Sequence, residues 1–218
     1  MALFVNIMTY FGIRSYKAGS ESMAPVLPLH SRFMATPVVF GNQIPLTGIK
    51  IPGFRAPDRG DVVLVKPSYI SNDPVYVRFL DSIIRFFTLQ RVSINSTEKK
   101  EWENSILVKR IIGVPGDQLR IEGFKVMIKP EGENRFLSEK NLLKEGIEIV
   151  YPEFPENWDY ELPFSGNLKE VILKEGEYLL LSDSRGKGSD GLLWGFSSED
   201  EILQKVFLRY WPNLGVRL

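Results

Sequence analysis

Two stretches of this chain carry residues that could do chemistry together. Residues 19–28 read Gly-Ser-Glu-Ser-Met-Ala-Pro-Val-Leu-Pro, with serines at 20 and 22. Hydroxyls at i and i+2 point the same way along an extended segment. Pro25 and Pro28 keep this path extended or turning rather than helical. The second stretch, residues 106–117, reads Ile-Leu-Val-Lys-Arg-Ile-Ile-Gly-Val-Pro-Gly-Asp. A serine hydroxyl is a poor nucleophile at neutral pH and needs a base to take its proton. Lysine serves only when neutral, and burial in apolar surroundings disfavours its ammonium form. On a strand Lys109 shares its face with Leu107 and Ile111, which would desolvate it, whereas an edge-strand lysine reaching water fits the same spacing. Arg110, on the other face with Val108 and Ile112, cannot be neutralised and needs a carboxylate partner.

Composition removes most competing chemistries. The 218 residues contain no cysteine, which excludes disulfides, cysteine nucleophiles and thiolate metal sites. There is one histidine, His30, so a two-histidine zinc site is impossible and a Ser-His-Asp triad would have to use it. His30 follows Pro25 and Pro28 in a predicted turn and reads as a surface residue. Lysine plus arginine number 27, as do aspartate plus glutamate, and this balance gives no sign of nucleic-acid binding. The apolar run at residues 1–13 is shorter than the ~20 residues that span a bilayer and is interrupted by Asn6 and Thr9. It suits a first core strand or a shallow membrane anchor.

The elements that must position these residues are mostly β. Val62–Val65, bounded by Asp58-Arg59-Gly60-Asp61, reads as a buried strand. Leu119–Ile121 and Lys125–Ile128 flank Gly123 as a hairpin, residues 177–181 resume the core, and Val206–Trp211 closes it. Residues 74–94 instead show helical periodicity, with Arg78, Asp81, Ser82 and Arg85 opposite an apolar side that includes Phe79, Ile83 and Phe86. That helix would pack on the body or lie on a membrane surface. Residues 130–175, polar and rich in Pro and Gly, read as part of a smaller lobe inserted into the β body.

Four boxes in order carry a resemblance: Ser20–Pro25, Arg59–Val63, Lys109–Asp117, and Ser182-Asp183-Ser184-Arg185 with Asp190 and Trp194-Gly195-Phe196. Together with the closing Phe207–Pro212 they resemble bacterial type I signal peptidases, membrane-bound Ser/Lys endopeptidases that remove signal peptides. The resemblance implies Ser22 as nucleophile, Lys109 as general base, and an oxyanion hole made by the Ser22 N–H and the Ser20 hydroxyl. It implies that Met23, Leu27, Leu107 and Val108 line shallow pockets for small residues, suited to an Ala-x-Ala-like site. Asp183 would pair with Arg110, and Ser189 and Asp190 would support the dyad. No cofactor or metal is implied. The expected partners are precursor proteins bearing signal peptides and a membrane surface, at the outer face of the bacterial cytoplasmic membrane. The fold expected is a signal-peptidase-like β body, residues 1–117 and 176–218 with an insertion at 66–105, carrying a second β lobe at 118–175.

The chain also departs from the family pattern. Val26 stands where the family usually has Thr, and Ser184 where it usually has Asn. Gly188 stands where a serine would hydrogen-bond the lysine. A one-residue shift would bring Ser189 to that place, and on the family register Gly188→Ser would restore the contact. Leu192 replaces an arginine that usually pairs with Asp190. Two other functions are compatible with these departures: a non-catalytic paralogue that binds precursors or a partner, and a processing protease dedicated to one substrate. A self-cleaving repressor is disfavoured because no helix-turn-helix precedes the boxes.

Overall fold

Four successive apolar residues with no polar alternation demand cover on both faces of a strand. The computed structural model, which describes residues 12–43, 50–67, 106–153, 166–213 and 216–217, provides it. All of Val62–Val65 (β5) is buried, with Val62 and Leu64 in one apolar cluster and Val63 and Val65 in another. The remaining strands are β1 (Arg14–Lys17), β2 (Arg32–Thr36), β3 (Gly41–Gln43), β4 (Lys50–Pro52), β6 (Leu107–Gly113), β7 (Gln118–Glu122), β8 (Lys125–Lys129), β9 (Leu137–Ser138), β10 (Leu168–Ile172), β11 (Glu177–Leu181), β12 (Ser197–Ser198), β13 (Ile202–Trp211) and β14 (Val216–Arg217). Two single-turn helices, α1 (Glu139–Leu142) and α2 (Gly191–Trp194), and a 3-10 turn at Glu199–Glu201 complete the described elements. The protein is mostly β.

The main sheet has eight strands in the order β1-β2-β13-β5-β6-β11-β12, with β14 paired to β13. A second sheet, β10-β7-β8-β9, is drawn entirely from residues 118–172, and β3 and β4 form a separate ribbon. The hairpin around Gly123 pairs Leu119 with Ile128 and Ile121 with Val126. These four residues meet Ile112, Leu179 and Leu181 in one core, so the smaller sheet packs on one face of β6 and β11. Gly113 makes that crossing close: a Cβ there would lie 2.8 Å from both Leu119 and Leu173. The helix expected at 74–94, residues 68–105 of the insertion expected at 66–105, and residues 1–11 of the apolar run lie outside the described residues. No helix among the described residues is long and apolar enough to cross a membrane.

Three buried or half-buried arginine–carboxylate pairs lace the sheets together. Arg110 donates to both Asp183 oxygens, at 2.7 and 2.6 Å, and to the Gly60 carbonyl at 2.7 Å. Arg59 reaches the Asp117 carboxylate at 2.6 Å. Arg185 pairs with Glu139, which also accepts from the Tyr151 hydroxyl at 2.9 Å. Burial and the Glu139 charge push the Tyr151 pKa upward. Removing one member of such a pair strands a charge, typically at a cost of about 3–5 kcal/mol. Asp183→Ala should therefore lower the unfolding free energy by that amount in a denaturant titration. A change below about 1 kcal/mol would mean that water reaches Arg110.

Candidate active site

Residues 22–26 form a turn rather than the extended segment that alternation suggested, closed by Leu27 N–H on the Met23 carbonyl at 2.7 Å. The two serine hydroxyls nevertheless meet, Ser20 Oγ to Ser22 Oγ at 3.0 Å. Ser22 is buried and Ser20 is exposed. The Ser22 carbonyl accepts from the Ser184 N–H at 2.9 Å, which joins this turn to the loop after β11. Met23 and Leu27 pack with Leu64, and half-buried Val108 lies against the same cluster. Leu107, expected beside them, packs instead with Val65, Ile111 and Tyr178. Alternation along β6 turns neighbouring side chains to opposite faces, which separates Leu107 from Val108. His30 is exposed in the turn before β2.

Lys109 is 2% exposed, next to Arg110 and paired across the sheet with Val63. Its Nζ donates to Ser182 Oγ at 2.8 Å and lies 5.9 Å from the centre of the Trp194 ring. Burial pushes its pKa down from 10.5 to about 8, against the charges of Asp190 and Asp183 and assisted by Arg185. Those two carboxylates are already engaged. Asp183 is held by Arg110, while Asp190 accepts from the backbone N–H groups of Ser182 and Leu192, each at 3.1 Å. Backbone donors thus occupy the carboxylate for which Leu192 supplies no guanidinium.

The lysine's anchor is Ser182, not Ser189. Ser189 is half-buried, and its hydroxyl makes no hydrogen bond to Lys109. A side chain at position 188 would not supply the contact cleanly either. Gly188 has φ +102°, and a Cβ built there lies 3.2 Å from the Ser22 Cβ. The one-residue loop shift to Ser189 is therefore not needed to anchor the amine. Register explains Ser182: β11 pairs Leu180 with Ile111 and Leu181 with Arg110, so the residue that follows β11 comes beside Lys109. An irregularity between Leu179 and Leu180 sets that register, since Leu179 pairs with Gly113. Glu139, the partner of Arg185, also went unread in the sequence.

A mostly β body thus holds a buried, hydrogen-bonded lysine beside a loop that also bonds the turn of a buried serine. The family model for signal peptidase, peptidase S26, matches residues 1–211, and the chain belongs to this family. Signal peptidase IB of Staphylococcus aureus is 30% identical over 110 residues, 50% of this chain and 56% of that protein. The matched region thus spans little more than half of that relative's length. The probable signal peptidase I-2 of Synechocystis sp. is 23% identical over 211 residues, covering 94% of this chain and 69% of its own.

Burial of the amine makes a stability prediction. The fall from 10.5 to about 8 corresponds to about 3 kcal/mol of unfavourable charge burial. Below pH 8 folded and unfolded chains are both protonated here, and the folded state carries the whole cost. Between about 8 and 10.5 the folded lysine loses its proton first, so this contribution to stability rises with pH. Lys109→Met should therefore raise Tm relative to wild type at pH 7, with the gain shrinking by pH 10. An equal difference at both pH values would contradict the depressed pKa.

Proposed function

We propose that this chain is a serine endopeptidase that removes signal peptides from exported proteins, with Ser22 as nucleophile and Lys109 as general base. The observation that carries this reading is a lysine 2% exposed, hydrogen-bonded but not ion-paired, with its pKa pushed to about 8. An amine in that state takes a proton at working pH, as a lysine in water does not. Family membership supports the same chemistry.

In the first step Lys109 takes the Ser22 hydroxyl proton as Oγ attacks the scissile carbonyl carbon. Negative charge moves to the carbonyl oxygen, where the Ser22 N–H and the Ser20 hydroxyl would donate to it. The protonated lysine returns its proton to the leaving amine, and an ester to Ser22 remains. Water, deprotonated by Lys109, then attacks the ester and frees the serine. Substrate would lie extended along β6. Among the described residues, the Leu107–Lys109 part of that strand pairs only with β5, because its pairing with β11 begins at Arg110. Strand addition at such an edge supplies affinity through main-chain hydrogen bonds. Met23, Leu27 and Val108 offer an apolar lining that favours small side chains, as in Ala-x-Ala. The partners would be precursor proteins at the outer face of the bacterial cytoplasmic membrane.

Ser22→Ala and Lys109→Ala should each reduce cleavage of an Ala-x-Ala peptide by at least about 10²-fold, the low end for a general base. His30→Ala should leave it unchanged. The wild-type rate should rise with pH through about 8, as the amine loses its proton. Activity that survives Lys109→Ala but falls with His30→Ala would overturn the assignment.

A further inference from the structure

We propose that Ser182 is the positioning residue of Lys109, holding the amine through a hydrogen bond while leaving its lone pair for the Ser22 proton. This inference rests on the Ser22/Lys109 reading. A neutral amine has two N–H bonds and one lone pair. If neither N–H is anchored, the four-carbon side chain can turn the lone pair away. Ser182 Oγ receives one of those N–H bonds at 2.8 Å.

The backbone that carries this hydroxyl is held from both sides. Ser182 is fully buried, its N–H is held by Asp190 Oδ2 at 3.1 Å, and its carbonyl accepts from the Arg185 guanidinium. Arg185 is in turn held by Glu139. The serine therefore sits directly after the end of β11, beside Lys109, rather than on the exposed part of the loop at residues 186–188. An anchor on a strand end fixes a reacting group more closely than one on a loop tip. It also makes a hydroxyl at position 188 redundant.

The bond has a second consequence. A hydroxyl oxygen that accepts from nitrogen favours the ammonium over the amine. Ser182 therefore acts in the same direction as Asp190 and Asp183, and against burial and the Arg185 charge. Arg110, the other cation next to this group, is neutralised by Asp183. Loss of the Ser182 oxygen should therefore lower the pKa of Lys109 while leaving the amine poorly aimed.

The test uses the full chain and an Ala-x-Ala peptide, with kcat, KM and thermal melting measured across pH 6–10. Ser182→Ala should lower kcat about tenfold or more, part of the ~10²–10⁴-fold that a general base supplies. KM should change by less than about twofold, and the rising limb should move to lower pH. If the alanine variant melts below assay temperature, Ser182→Cys reads the same limb, because sulfur is a weaker acceptor. Gly188→Ser, with Ser182 present, should give no gain. An unchanged kcat and limb in the Ser182 variants would overturn the positioning role, as would a gain from Gly188→Ser. A fall in kcat with an unmoved limb and a lowered Tm would overturn it too, since that is a packing defect. Full activity in Ser22→Ala or Lys109→Ala would instead remove the dyad reading on which the role depends.

Discussion

The site depends on an amine that is buried without a carboxylate of its own. An ammonium in an apolar interior normally draws in a carboxylate, and a direct pair would hold its pKa high. Around Lys109 the two nearest acidic groups are committed elsewhere, Asp183 to Arg110 and Asp190 to two backbone N–H groups. Their charges still reach Lys109 and oppose its neutralisation, but burial outweighs them. A hydroxyl, which adds no charge, takes the contact position instead. This is how two carboxylates can sit near an amine whose pKa is nevertheless lowered.

The paired arginines make that arrangement possible. Arg110 follows Lys109 in the chain, yet the strand period sends its side chain to the other face, where it meets Asp183 and the Gly60 carbonyl. Arg59 meets Asp117 at the turn where β6 gives way to β7. Arg185 reaches from the loop after β11 to Glu139 at the start of α1. Each pair joins segments far apart in sequence, and the Arg110 pair engages Asp183, one of the two carboxylates whose charge reaches Lys109. Replacing such pairs with apolar residues is often neutral for stability. Their value here is in where they leave charge and where they do not.

Much of this was legible in the residues. The apolar run at Val62–Val65, the hairpin around Gly123 and the strand carrying Lys109 follow from period and turn chemistry, and each is a strand in the fold. Arg110 required a carboxylate because a guanidinium does not neutralise, and Asp183 supplies it. Ser182 was not legible, because its position beside Lys109 depends on a one-residue register irregularity between β6 and β11. Strand register is a long-range property that local spacing does not encode. Glu139 was missed for a related reason: it lies outside the four boxes, and its partner Arg185 is 46 positions away. The family resemblance placed Leu107 and Val108 together as pocket residues, and the pleat turns them to different clusters.

The central claim is that the fold lowers the Lys109 pKa by burying the amine and keeping Asp183 and Asp190 occupied. The direct measurement is an NMR titration of the Lys109 side-chain 13Cε and 15Nζ resonances, assigned by comparison with Lys109→Met. The account predicts a midpoint near pH 8 in the folded wild type, with the other lysines titrating in their ordinary range near 10.4. A Lys109 midpoint at or above that ordinary range would contradict it, because the amine would then stay charged throughout the neutral pH range.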